Sequence, residues 1–401
     1  MVLAYFNVAS VILWAGGIWL VFVHQNYQLP FVVLALIEAP LHAILATVYL
    51  GMEPAFYFYL LNTVASIQLN SFIERRLRII IGGFYVLMFV ALGAVAIVTE
   101  PLHQLTENWQ LLFFLFNATG VALLLPFGIG FYEWMATKAE KMIADAMALI
   151  NESIQYASRI QRSVLPNPAL LEKAFADHTV IWEPKDVVGG DVYLYRNCDQ
   201  GHLLALVDCT GHGVPGAFMT MIVAGAFDQA LLEEPDGDPA ALLKRINQLV
   251  KGLLGQDGDD GESDDGLECG LCLIDDTAGQ ITYAGARFEL WGVNGDVLTE
   301  IKGEKVGIGY RRTEMDFAFT NHVRSIEKDD RYYMTSDGLV DQVGGEKHRA
   351  HGKRRLKEVI METGGMKMAN QAKAILEAFE TYQGDEVRRD DISLLGFEPI
   401  L

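Results

Sequence analysis

Five aspartates stand where a carboxylate can leave the edge of a sheet. GGD places Asp191 after two glycines, and DCTGHG places Asp208 at the end of the apolar run HLLALV. SDG puts Asp337 in a turn, and RRDDISLL puts Asp390 and Asp391 just before another apolar run. Four separate segments contribute them. If they converge, so many like charges are untenable without cations, and hard divalent ions that take oxygen ligands and water resolve the conflict. Two such ions a few ångströms apart activate water and neutralise the oxygens of a phosphate. The chemistry implied is metal-assisted phosphate hydrolysis. Each short motif is weak alone, because DG is an ordinary turn and DD before a strand is commonly a solvated loop. Their order and spacing carry the reading.

The elements that must position these residues follow Pro168. Runs at Val180–Trp182, His202–Val207, Leu271–Ile274, Ile281–Ala284, Arg331–Met334 and Ile392–Phe397 read as strands. Ala217–Leu232, Pro239–Leu254, Leu356–Glu362 and Ala369–Tyr382 read as helices. Strands arrive in pairs instead of alternating with helices, which favours an α+β fold with antiparallel sheets. The four cysteines, Cys198, Cys209, Cys269 and Cys272, all lie in this half. CGLC has CxxC spacing, but no second pair completes a zinc site. Within a strand, positions three apart face opposite sides, so Cys269 and Cys272 read as packing residues. Free thiols fit a reducing cytoplasm.

The first part of the chain is different. From Met1 to Ile73 the only charged side chains are Glu38 and Glu53, although the whole chain carries a net charge of −20. That acidity argues against nucleic-acid binding, which needs basic surface to replace counterions. Five stretches approach the roughly 20 apolar residues a membrane span needs: Leu3–Val23, Pro30–Leu50, Phe56–Ile73, Ile79–Val98 and Leu111–Phe131. The third is the most polar, with Asn62, Ser66, Gln68 and Asn70. No lysine or arginine precedes the first run, so a secretory signal is not expected there. The cluster ERRLR and the pair Lys138 and Lys141 should both lie in the cytoplasm by the positive-inside rule, which places the N-terminus outside. Glu38 and His42, four apart on one helical face, are the sensor candidates. An ionisable residue at membrane depth is a functional hypothesis, for a ligand, metal or proton; the plainer reading is one mutual hydrogen bond inside the bundle.

Between these halves, Ile143, Ile150, Ala157 and Val164 recur every seven residues, with Ala146, Ser153 and Ile160 three after the first three. This is an a/d seam with small and polar members, suited either to a parallel dimer or to packing on its own domain. Two prolines in LPNP stop the helix. The organisation expected is a membrane region at 1–132, a signalling helix at 133–166 and a soluble domain at 167–401.

The soluble half resembles the PPM/PP2C-type serine/threonine phosphatases, specifically the bacterial SpoIIE/RsbU branch. The resemblance runs from about Ser153 to Leu401 through SIQYASRIQRSVLP, PKDVVGGDVY, DCTGHGVPGAFMT, DDGLECGLCLID, ITYAGARFELW, YYMTSDGLVDQVGGE and RRDDISLL. It implies an αββα sandwich of two antiparallel sheets flanked by helices, beside the helical transmembrane bundle. It implies two Mn2+ or Mg2+ ions, with Asp208 shared, Asp191 and the carbonyl of Cys209 on one ion and Asp337 on the other. Asp390 matches the last ligand better than Asp391. His212 either tunes the glycine loop or donates to a leaving group, and a purely structural role is equally open. Asp265, at the end of the acidic run GQDGDDGESDDG, is a candidate for a third, weaker ion; an EF-hand fails there because Glu262 takes the place of the required glycine. No phosphoenzyme is expected. Gln161 matches the connecting element through which this branch is associated with control by dimer rearrangement.

Two departures stand out. Arg287 occupies the place of a histidine found in many relatives, and KVGIGY replaces a proline-containing turn. The implied whole is a phosphatase anchored in the bacterial cytoplasmic membrane, its catalytic domain in the cytoplasm. It would be homodimeric, in contact with membrane lipid, and would act on a phosphorylated STAS-domain protein of the anti-anti-sigma type. The alternatives are a catalytically silent receptor-scaffold and a small transporter or channel with a regulatory tail.

Overall fold

The computed structural model describes residues 2–24, 29, 31–68, 73–258 and 264–400. They form two compact units, Met1–Met147 and Ala148–Leu401.

The first unit is helical. Helix Val2–His24 is followed by a π-helical stretch, Phe31–Glu38, that runs on as α-helix Ala39–Leu50. Arg75–Val98 and the first part of the 58-residue helix Glu107–Val164 complete the long apolar elements. By length and composition these four are apolar enough to cross a membrane. They also expose large apolar side chains outward, among them Ile12, Leu87, Ile97 and Phe116, the reverse of a water-soluble surface. The stretch expected as a third span departs from the reading. Phe56–Phe58 is a 3-10 turn and Tyr59–Gln68 a ten-residue helix, below spanning length; residues 69–72 of that expectation lie outside the described residues. The helix Gly213–Glu233 is also apolar enough to span, but Val223, Phe227 and Ala230 bury it in the core of the second unit.

Among the described residues the second unit has twelve strands: β1 Phe175–Glu183, β2 Asp191–Cys198, β3 Gly201–Cys209, β4 Leu267–Asp275, β5 Gln280–Ala286, β6 Glu289–Asn294, β7 Val297–Lys302, β8 His322–Ser325, β9 Arg331–Thr335, β10 Val343–Gly344, β11 Arg349–Ala350 and β12 Ile392–Pro399. One sheet has the order β1-β12-β9-β6-β7 and the other β2-β3-β4-β5-β8, with β10-β11 as a small separate pair. Every pairing between these strands is antiparallel.

The run HLLALV shows how the layers form. Its alternate residues Leu203, Ala205 and Val207 pack beneath helices Gly213–Glu233 and Pro239–Leu254, while Leu204 and Leu206 join Tyr283, Met334 and Phe397 between the sheets. A strand buried on both faces reads as a continuous apolar run. On the far side, Trp291, Tyr333 and Leu394 pack against Leu356, Ile360, Ile375 and Phe379 of helices Gly352–Glu362 and Met368–Gln383. The order of layers is helices, sheet, sheet, helices. Cys269 lies in the helix-side core and Cys272 between the sheets, as their spacing in a strand requires.

Candidate active site

Antiparallel register does the first part of the positioning. Asp191 opens β2 and pairs directly opposite Asp208, the penultimate residue of β3. Asp337 follows β9 at the start of the short helix Gly338–Asp341, and Asp390 and Asp391 precede β12. Because β9 and β12 are neighbours in the other sheet, both sheets deliver carboxylates to one end of the sandwich. The charges of Asp191, Asp337 and Asp390 all act on Asp208.

These carboxylates are held in an unfavourable state. Burial, then the charges of Asp391 and Asp337, push Asp191 up to about 7, with the nearby hydroxyls of Ser393 and Ser336 opposing the rise. Burial, and then Asp390, push Asp337 up to about 6. Burial and Asp191 raise Asp208 well above the ordinary range. Asp191 Oδ2 is buried and has no hydrogen-bond partner. Among the described residues, no three His, Cys, Asp or Glu side chains stand close enough together to grip an ion as they are. The donor set nevertheless fits hard cations: anionic oxygens, one of them orphaned, crowded until burial and mutual repulsion favour their neutral forms.

The glycine loop after Asp208 is shaped by close backbone contact. Gly211 has φ +85°, a left-handed value that side chains disfavour. A Cβ on Gly216 would collide with the Gly211 carbonyl, and one on Gly190 would come within 2.9 Å of the Cys209 carbonyl oxygen. The GGD turn and the TGHG loop therefore interlock. Burial raises the Cys209 thiol well above its usual range, so this sulfur is packing material and not a nucleophile.

The two members of the DD pair have different surroundings. Asp391 is buried and its carboxylate accepts hydrogen bonds from Lys185 N at 2.7 Å and Gly190 N at 2.5 Å. It clamps the GGD turn. Asp390 is half-buried and, among the described residues, its Oδ1 accepts from the neighbouring Asp391 N at 2.9 Å and from no other donor, leaving lone pairs for a ligand. His212 is half-exposed, with Nε2 3.0 Å from Lys185 Nζ and Nδ1 3.1 Å from Asp186 Oδ2. Since an ammonium only donates, Nε2 accepts and Nδ1–H donates to Asp186. That tether ties the loop to the segment before the GGD turn. Asp265 meets Gln256 through its own backbone N–H and carbonyl, next to Gly266, whose carbonyl accepts from Thr210.

Gln161 reaches into the same turn. Its Nε2 donates to the Gly189 carbonyl at 2.6 Å and to Thr220 Oγ1 at 3.0 Å, and its Oε1 accepts from Gly189 N at 3.3 Å. One buried amide thus joins the connecting helix to the segment that carries Asp191.

Glu268 escaped the sequence reading. It pairs opposite Asp208 on β4, is raised by burial, and meets Arg287 at 3.3 Å. Only the β3–β4 register shows this. Arg287 has φ +54°, stacks 5.6 Å from the Tyr310 ring, and lines a cavity of about 280 Å³ together with Glu268, Asp337 and Lys353. This ion pair lies at the rim of a cavity that also contains one of the clustered aspartates.

Residues 199–399 match the family described as stage II sporulation protein E (SpoIIE), half of the chain. This chain belongs to the SpoIIE family. The match begins after Asp191, so the GGD turn and Gln161 lie outside it. The SiaA-PP2C domain of Pseudomonas aeruginosa is 35% identical, covering 64% of this chain and 99% of that domain, with a TM-score of 0.58. Phosphoserine phosphatase RsbU of Bacillus subtilis (strain 168) is 21% identical over 210 residues, covering 52% of this chain and 59% of RsbU. The chain therefore matches less than two thirds of that curated relative. The second unit is a PP2C-type phosphatase domain of the SpoIIE family.

Proposed function

We propose that this protein is a membrane-anchored, metal-dependent protein serine/threonine phosphatase. The observation that supports the proposal is the pairing of Asp191 with Asp208 at the end of one sheet, with Asp337 and Asp390, from the other, near enough for their charges to act on Asp208. Asp191, Asp208, Asp337, Asp390 and the Cys209 carbonyl would hold two Mn2+ or Mg2+ ions. Bound there, the cations supply charge neutralisation and Lewis acidity toward water and the phosphoryl oxygens. The chain's own contribution is placement. Register fixes Asp191 against Asp208, Asp391 and Gln161 hold the GGD turn, and the glycine contacts keep side chains away from the reacting phosphate. Arg287 and Lys353 border the neighbouring cavity, where a phosphoprotein side chain can enter.

The substrate proposed is a phosphorylated STAS-domain protein, in keeping with likeness to RsbU, whose own description is phosphoserine phosphatase. Four long apolar helices support anchoring in the bacterial cytoplasmic membrane with the phosphatase domain in the cytoplasm. Ile143, Ile150 and Ile160 of the heptad seam are exposed, which supports a second copy as the partner that covers them. The test is turnover of a phosphoserine peptide by the full-length protein with Mn2+. Activity that disappears in Asp208→Asn supports the reading, and a wild-type protein inert with both metals refutes it.

A further inference from the structure

The first unit contains a cavity of about 280 Å³ whose walls come from four segments. Ser10 and Trp14 stand near the middle of helix Val2–His24, Glu38 closes the π-helical stretch, and His42 follows one turn later. Phe56 and Tyr59 come from the short third segment, and Phe116 and Asn117 from the helix Glu107–Val164. π-helical turns occur often at functional sites.

The polar atoms of this wall point to one kind of occupant. Ser10 Oγ donates to Glu38 Oε1, and Trp14 Nε1 donates to Glu38 Oε2 at 2.8 Å. Tyr59 OH donates to Asn117 Oδ1 at 3.3 Å, and Asn117 Nδ2 donates to the Pro54 carbonyl at 2.6 Å. Apart from the second Asn117 N–H and His42 Nε2, the donors of the wall are used within the protein. Open to an occupant are acceptors: a carboxylate has about four lone-pair sites, and the described groups approach at most three. The remaining wall is largely aromatic, with Phe56 and Tyr59 half-buried, Trp14 half-exposed and Phe116 mostly exposed at its rim.

Charge points the same way. Glu38 is 5% exposed, and among the described residues the ion-pair partner it meets is His42, with Nδ1 at 3.5 Å. From Met1 to Ile73 the chain contains no lysine or arginine to balance it. A buried carboxylate beside aromatic side chains can attract an ammonium by charge and by cation–π contact.

We propose that this cavity is a binding site for a small organic cation carrying an amine or quaternary ammonium group. Its size falls just below that of drug-sized ligand cavities, which run from roughly 300 Å³ upward, and suits one molecule with few carbons. Phe116 and Asn117 lie on the same helix as Gln161, so occupancy bears on the helix that grips the Asp191 turn. That consequence rests on the phosphatase reading; the binding does not.

The test uses the full-length protein in phosphatidylglycerol nanodiscs and labelled choline as the probe, with no turnover measured. Saturable binding is expected, with at least ~10-fold preference over the neutral isostere that has carbon in place of nitrogen. Glu38→Gln should lose that preference, and Glu38→Asp, which keeps the carboxylate, should retain it. Equal binding of choline and its isostere, no saturable binding, or unchanged selectivity in Glu38→Gln each overturns the proposal. If Glu38→Gln does not fold, the wild-type comparison with the isostere decides alone. Repeating the assay in phosphatidylethanolamine identifies the source: lost choline binding assigns the site to the lipid ammonium, and retained binding to a free cation.

Discussion

Asp390 and Asp391 are adjacent and chemically identical, yet their surroundings give them different work. Asp391 spends its carboxylate on Lys185 N and Gly190 N. Asp391→Asn should therefore lower stability by about 1.5–3 kcal/mol, the range for hydrogen bonds to a charged group, seen as a reduced melting temperature. Asp390→Asn should leave the melting temperature of the metal-free protein near wild type and weaken Mn2+ binding in calorimetry. The reverse pattern would exchange the two assignments. Asp208→Asn should reduce turnover by more than ~100-fold, because groups that merely orient metal ligands already cost ~10–100-fold. A smaller loss in a peptide dephosphorylation assay would remove Asp208 from the centre of the site. The five aspartates were legible because each sits beside glycines or at a strand end. Glu268 was not, because a glutamate inside an apolar strand gives no sign of what lies across the ladder.

At the scale of elements, one side chain joins the connecting helix to the catalytic turn. Gln161→Ala removes the amide's bonds to both backbone groups of Gly189. The expected result is a ~10–100-fold loss of metal affinity or activity, measured by Mn2+ titration of turnover. Activity restored at saturating Mn2+ would identify Gln161 as a positioning residue; wild-type metal dependence in the variant would count against the coupling. The seam on the same helix makes a separate prediction. Ile150→Asp should convert a dimer to a monomer by light scattering of the full-length protein, and an unchanged mass would leave the exposed seam without the proposed partner. Heptad spacing was readable from sequence. Its exposure was not, because the same spacing serves a helix packed on its own domain.

For the whole molecule, the crowded carboxylates couple metal to stability. Asp191 rises from an ordinary 3.8 to about 7 in the folded chain, and Asp337 to about 6. Between those limits the folded chain keeps protons that the unfolded chain has released. Stability from these groups is thus complete below the ordinary carboxylate range and lost as pH rises toward about 7. Chelated protein should melt at a higher temperature near pH ~5 than near pH ~8, and saturating Mn2+ should raise the melting temperature most at the alkaline end, where protons no longer compete with the ion. A melting temperature independent of both pH and metal would remove the premise of a charged cluster awaiting cations.

The sequence by itself determined the classes of element, the antiparallel α+β character and the aspartates, because period-two apolar runs, turn glycines and charge placement are local signals. It also separated an apolar helical part from a soluble one. Tertiary structure alone decided which residue stands across from which. Register set Asp191 against Asp208 and brought Glu268 beside them, backbone donors divided the DD pair, and four distant segments met at an aromatic-lined cavity beside Glu38. Those outcomes depend on contacts between residues far apart in the chain, and no local pattern encodes the distance between them.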